Sequence, residues 1–214
     1  GTPHTRRTTY YDMIELIRDF LGADPSGKTD RVAKRAIAAA LREVANAHRW
    51  TYLQTHTRLT TNASYNTGTA TFTLGSLTVT GSGTTWTAAM VGRKIALGQG
   101  GIYYRIATRV SNTEITIAEV YAEATATASA YVIYQDEYDL AATTHSIEQA
   151  NLIDAYGSPE LVLCEQRQVA RYGFAGTFTG RPFAACVTTS TTVGTPRIQI
   201  VPAPDAIYRL SFRY

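Results

Sequence analysis

Phe72-Thr73-Leu74-Gly75-Ser76-Leu77-Thr78-Val79 sets two short apolar/Thr alternations on either side of a Gly-Ser turn. A period of two is the strand period, and β-branched Thr and Val suit a pleated surface. The stretch therefore reads as the start of two strands joined by a tight turn. Outward from it, no Asp, Glu, Lys or Arg occurs between Arg58 and Arg93. Ile102, Tyr104, Ile106 and Val110 fall on one face of a later strand. Ser111-Asn112 makes a turn, Ile115 and Ile117 mark the next strand, and Tyr131 and Ile133 a last one. Several short strands at regular turn spacing predict a small antiparallel barrel or sandwich over residues 55–135.

The flanks read differently. Thr9 caps a helix with Asp12 as its capping-box partner. Met13, Ile14, Ile17, Phe20 and Leu21 recur on one helical face, and Gly22 is a natural stop. A second helix begins near Asp30, with Val32, Ala36, Ile37, Ala40, Leu41 and Val44 as its buried stripe. Trp50 and Leu53 close the helical region onto its core. The Asp24-Pro25-Ser26-Gly27 turn joins the two helices as an antiparallel hairpin. Beyond residue 135, Ser158-Pro159-Glu160 carries an N-cap Ser, Pro at the first helical position and an early acid, predicting a helix to about Tyr172. Strands follow near 183–190, 197–201 and 207–213, with Pro202-Ala203-Pro204-Asp205 as the last turn. The expected fold class is α+β. A helical hairpin or bundle body (1–54 with 136–214) carries an inserted β domain (55–135) and a C-terminal β segment.

Composition narrows the function classes. The chain has 214 residues, enough to bury a real core, and 14 Tyr with 6 Phe at 17% charge exclude a disordered chain. A net charge of +3 is too small for a dedicated nucleic-acid binder. No apolar run approaches the roughly 20 residues that span a membrane. Cys164 and Cys186 match no metal or CxxC spacing and read as free buried thiols. No signal peptide opens the sequence, so assembly in a reducing cytoplasm is expected.

Catalytic constellations are scarce. Gly22-Ala23-Asp24-Pro25-Ser26-Gly27-Lys28-Thr29 fits the G-x-x-x-x-G-K-S/T phosphate loop. That loop should follow a buried strand, and here an amphipathic helix precedes it. Asp24 would aim a carboxylate at the phosphates, and Pro25 removes an amide donor. The stretch reads as an inter-helix turn. His4, His48, His56 and His145 show no paired-ligand spacing. Asp136, Glu137 and Asp139 lack an EF-hand register and read as a solvated strand exit. No catalytic residue, metal or cofactor is expected. Tyr103, Arg105 and Arg109 share one strand face, a thin version of a single-strand nucleic-acid grip. A broader basic face comprises Arg31, Lys34, Arg35, Arg42 and Arg49, with Arg6 and Arg7. It reads as a solvated helix face, a partner surface, or a lumen face weakly attracted to DNA phosphates.

Four segments in order carry a resemblance. The first is the second helix running into Ala45-Asn46-Ala47-His48-Arg49-Trp50-Thr51-Tyr52-Leu53. The second is Leu77 to Thr87 with Met90-Val91-Gly92-Arg93-Lys94, continuing through Tyr104-Arg105-Ile106 to Tyr134-Gln135-Asp136-Glu137-Tyr138-Asp139-Leu140. The third is Ser158-Pro159-Glu160 opening a helix. The fourth is Ile198-Gln199-Ile200-Val201-Pro202-Ala203-Pro204-Asp205-Ala206, then Tyr208 to Tyr214. Together they resemble the head-to-tail adaptor (connector) proteins of tailed, especially short-tailed, bacteriophages. The resemblance implies a non-enzymatic virion protein that assembles in the host cytoplasm. It also implies a closed homo-oligomeric ring, commonly of about twelve subunits. The ring would dock beneath the portal and above a nozzle or tail tube, with packaged double-stranded DNA passing through its lumen. The competing expectation is a receptor- or glycan-binding β module of a tail fibre or capsid decoration, using exposed Tyr, Trp86 and Thr. A small nucleotide-binding enzyme is the third and rests on Gly22–Thr29 alone.

Overall fold

Thr9 and Asp12 satisfy each other's backbone amides: Thr9 N–H donates to Asp12 Oδ2 at 2.7 Å, and Asp12 N–H to Thr9 Oγ1 at 3.2 Å. This reciprocal box opens α1 (Tyr10–Leu21), and α2 (Lys28–Ala47) follows. The computed structural model of the chain describes residues 9–21, 28–48, 55–98, 101–141, 144, 147–153, 157–165, 168–169, 179–189 and 195–213. The inter-helix turn, most of the phosphate-loop match, Gly22, Trp50 and Leu53 lie outside the described residues. Two compact units result, Gly1–Gln54 and Thr55–Tyr214.

In the first unit, α1 and α2 are tied by a bidentate pair, with Arg18 Nε 2.7 Å from Asp30 Oδ1. Ile14, Ala33 and Ile37 are buried between them. The stripe expected to be buried on α2 is otherwise open: Val32, Ala36, Ala40, Leu41 and Val44 are exposed. Two helices cover only the residues along their own line of contact, so the rest of each apolar face stays uncovered.

The second unit is built from strands β1 (His56–Thr60), β2 (Thr69–Phe72), β3 (Thr78–Ser82), β4 (Lys94–Leu97), β5 (Tyr103–Arg109), β6 (Glu114–Ile117), β7 (Ala126–Ser129) and β8 (Tyr131–Tyr134). The chain continues through β9 (Glu137–Asp139), β10 (Gln149–Ile153), β11 (Val162–Cys164), β12 (Thr179–Gly180), β13 (Ala184–Thr189), β14 (Pro196–Val201), β15 (Ala203–Pro204) and β16 (Arg209–Arg213). A seven-stranded antiparallel sheet runs β7-β2-β3-β6-β5-β4-β8. Its outermost strands, β7 and β8, are separated in sequence by Ala130 alone, so the sheet is curled, with the end of one edge strand beside the start of the other. Tyr65 extends the β8 side through a bridge to Ile133. Inside lie Phe72, Val79, Trp86, Ile95, Ile106, Ile115, Ile117, Tyr131 and Ile133. The β2–β3 turn needs Gly75 at φ +80°, a left-handed conformation that costs glycine little.

Residues beyond 135 complete three further sheets, the smallest a parallel pair of β12 and β15. A three-stranded sheet orders β1-β16-β10 and a four-stranded one β11-β13-β14-β9. Leu152, Leu210 and Phe212 of the first join Tyr138, Ala185, Ile198 and Ile200 of the second in one buried core. The outward side chains of β8, Val132 and Tyr134, pack with Ala96 and Ala203, which is why all four β8 residues are buried.

The expected helical body is therefore a correction. Strands hold 44% of the chain and helices 20%, and among the described residues α1 and α2 are the only helices of more than one turn, so the molecule is mostly β with no helical hairpin or bundle as its body. The expected helix from Ser158 is replaced over 158–164 by extended chain. Glu160 bridges Asn151, and β11 pairs in parallel with β13. Ser-Pro-Glu is compatible with either start. Here β13 satisfies the backbone of Val162–Cys164, and Leu161 is buried in the core between the sheets.

Candidate functional site

Two features of the surface and near-surface stand out: a buried charge network in the β unit and an open face on the hairpin.

The network begins at the end of β8. Lys94, opposite Tyr134 and Arg105 in the sheet register, turns its ammonium toward the start of β9. Its Nζ lies 2.8 Å from Asp136 Oδ2, 2.9 Å from Glu137 Oε1 and 4.4 Å from the centre of the Tyr103 ring. Asp136 also accepts from Gln199 Nε2 at 3.0 Å. Glu137 accepts from Arg105 at 3.2 Å and Arg197 at 3.0 Å, and Arg197 Nε reaches Asp139 at 2.7 Å. Burial pulls the Lys94 ammonium down, but Asp136 and Glu137 outweigh it and hold the group above its ordinary value. Burial would likewise push Glu137 up; the hydrogen bond and charge of Lys94, then Arg105, bring it below the usual carboxylate range. Lys94 is thus held protonated and Glu137 ionised, each committed to the other. A nucleophilic amine or a general base needs the opposite tuning. The network clamps the curled sheet to β9 and β14.

The acidic cluster Asp136, Glu137 and Asp139 was expected to be a solvated strand exit, and this is corrected: Asp136 is buried and all three acids are paired with cations. A signal was present, since Arg93 and Lys94 are the first charges after Arg58 and must meet acids if the β region folds inward. Arg105 is tied to Gly92 O and Glu137, and Arg109 donates to Trp86 O at 3.0 Å. That strand face is held by intramolecular bonds. Trp86 is 1% exposed, with its Nε1 donating to the Tyr131 hydroxyl at 2.9 Å, so its indole is a core group and offers no stacking platform.

The hairpin supplies the other feature. Arg31, Lys34, Arg35 and Arg42 are exposed on α2, with Arg31, Arg35 and Arg42 spaced i, i+4 and i+11 along one face. Arg6, Arg7 and Arg49 lie outside the described residues, as do His4 and His145. On another side of the hairpin, Met13, Leu16, Ile17, Ile37, Leu41 and Val44 line an apolar groove of about 310 Å³. Leu16 is 65% exposed, and Phe20 on the same helix 89%. The two helices also differ in charge: α1 holds Asp12, Glu15 and Asp19 against Arg18, whereas α2 holds Lys28, Arg31, Lys34, Arg35 and Arg42 against Asp30 and Glu43.

Among the described residues no grouping of His, Cys, Asp and Glu is placed to hold a metal ion, and no helix is long and apolar enough to cross a membrane. Compared with known proteins, the chain matches no family model, no curated protein and no solved structure.

Proposed function

We propose that this chain is a virion structural protein, a head-to-tail adaptor subunit. It would assemble into a ring between the portal and the tail or nozzle, with genomic double-stranded DNA in the lumen. The observation that carries the reading is the open apolar groove on a two-helix unit whose helices bear opposite charge. A 12-residue helix such as α1 is marginal in water, and its stability comes from a covered apolar face. Burying a Leu, Val or Phe side chain contributes about 1.5–3 kcal/mol, so covering Leu16, Phe20, Leu41 and Val44 would stabilise the hairpin substantially. A second copy of the chain suits the groove: it brings its own apolar face, and it offers an acidic α1 to the basic α2. The order of the first, second and fourth adaptor-like segments supports placing this assembly at a phage neck; the third, Ser158-Pro159-Glu160, does not open the helix that the resemblance implies. The paired state of Lys94, Glu137 and Asp136 fits a structural role.

Mass photometry and negative-stain imaging of the chain, alone and with portal, test the proposal. A closed ring is expected in one or both samples. Leu41→Glu with Val44→Glu should return it to monomers. Reversing Arg35 and Arg42 to Glu should weaken assembly, and reversing Glu15 and Asp19 to Arg in the same chain should restore it. Monomer throughout, with free portal, would overturn the reading.

A further inference from the structure

Among the described residues the charge network leaves one cation, Arg93, outside its ion pairs. Gly92, Arg93, Arg105, Glu137, Asp139 and Arg197 line a polar cleft of about 240 Å³ beside the Lys94 ion pairs. Lys94, Arg105 and Arg197 are each paired with one or more of the carboxylates of Asp136, Glu137 and Asp139. Arg93 takes part in none of these pairs, and its Nε is buried with no hydrogen-bond partner. An unmet buried donor is unfavourable, and more so when it is charged. We infer that this cleft is a binding site for a single carboxylate group, received by the Arg93 guanidinium.

Three features define the ligand. Among the described residues the network sets four cations against three carboxylates, an excess of one positive charge that matches a monoanion. A guanidinium is a planar fork that pairs a planar carboxylate through two parallel hydrogen bonds. The acidic lining from Glu137 and Asp139 repels a dianion and disfavours a polyanion. DNA would set a charge about every 1.7 Å beside Asp139, whose side chain is 54% exposed. Burial pulls the Arg93 guanidinium below its ordinary value, the direction produced by a desolvated cation without a counter-ion. The carboxylate has two possible sources, a free small acid or an Asp, Glu or C-terminus of another protein chain, and the chemistry at Arg93 is the same for both.

The test uses the full chain labelled for side-chain arginine NMR. Sodium acetate at matched ionic strength should move the Arg93 Nε–Hε resonance saturably, and sodium chloride should not. Arg93→Gln should abolish the acetate response seen at neighbouring Gly92. Arg93→Lys, which keeps the charge and guards against misfolding, should weaken the response severalfold. No saturable shift, or an equal shift with chloride, overturns the inference. Phenylglyoxal labelling read by peptide mass separates the sources. Protection of Arg93 in the assembled oligomer without acetate assigns the carboxylate to a protein chain. Protection that requires acetate in both states assigns it to a small acid, and labelling unaffected by either counts against the site.

Discussion

The Lys94 ammonium lies 2.8 Å from the Asp136 carboxylate, with the two side chains only 4% and 5% exposed. Removing one partner strands the other in a poor solvent for charge. Lys94→Met is expected to destabilise the chain by about 3–5 kcal/mol, because Asp136 would be left desolvated and held by Gln199 alone. Lys94→Met with Asp136→Leu should recover much of that loss. Urea-unfolding midpoints of the two variants, at unchanged slope, check the relation.

Acid should weaken the fold through Glu137. Its folded value lies below the ordinary 4.5, so between the two values the unfolded chain binds the additional proton. Stability therefore rises with pH in that window. The contribution is complete above 4.5 and is lost as pH falls through the folded value. Lys94 behaves oppositely: its contribution is present below its ordinary 10.5 and is lost as pH rises through its elevated folded value. Melting temperatures from about pH 6 to about pH 3 should fall with a slope that Glu137→Gln reduces. An unchanged slope in that variant would contradict the assignment.

Tyr134 and Tyr131 should respond differently to loss of the hydroxyl. Tyr134 is fully buried and its hydroxyl has no hydrogen-bond partner, so Tyr134→Phe should be neutral or stabilising. The Tyr131 hydroxyl accepts from Trp86 Nε1 and donates to Thr67 O at 2.7 Å. Tyr131→Phe leaves the indole donor unmet and should cost about 1–3 kcal/mol. Thermal unfolding of the pair decides the matter.

Cys186 should be chemically quiet. It is buried on β13 opposite Cys164 of β11, and burial first, then the neighbouring thiol, pushes it up to about 11. The reactive species is the thiolate, so iodoacetamide at neutral pH should leave Cys186 unlabelled in the folded chain and label it after denaturation. Rapid labelling of the native protein would show that β11 does not cover this position.

What could be read from sequence follows the range over which each signal acts. The Thr9–Asp12 box, the Gly75-Ser76 turn, the Ser111-Asn112 turn and the strands expected near 183–190, 197–201 and 207–213 are specified by neighbours in the chain, and the structure has the strands as β13, β14 and β16. Ser158-Pro159-Glu160 misled because its local signal is real, but the pairing that decides Val162–Cys164 comes from β13, some twenty residues later. The reading of Asp136, Glu137 and Asp139 as a solvated strand exit fails for the same reason: Asp136 and Lys94 are 42 residues apart. The α2 stripe reads as buried in the sequence, and Val32, Ala36, Ala40, Leu41 and Val44 are exposed: periodicity identifies a face that asks for cover and not what covers it. Arg93 was visible only as part of a motif, because an unpaired cation is recognisable once the other pairs are placed.

The register of β1 against β16 carries a consequence for synthesis on the ribosome. Thr61 and Tyr208, which continue that pairing, are 147 residues apart. The curled sheet can close once residues 69–134 have emerged, whereas β1 must wait for the last strand of its own sheet. The order of acquisition should therefore run against the order of the strands at this one place: β1 is made first in its unit and secured last. Pulsed hydrogen exchange during refolding should show Val79, Ile95 and Ile115 protected before Leu59, and simultaneous protection would remove the delay.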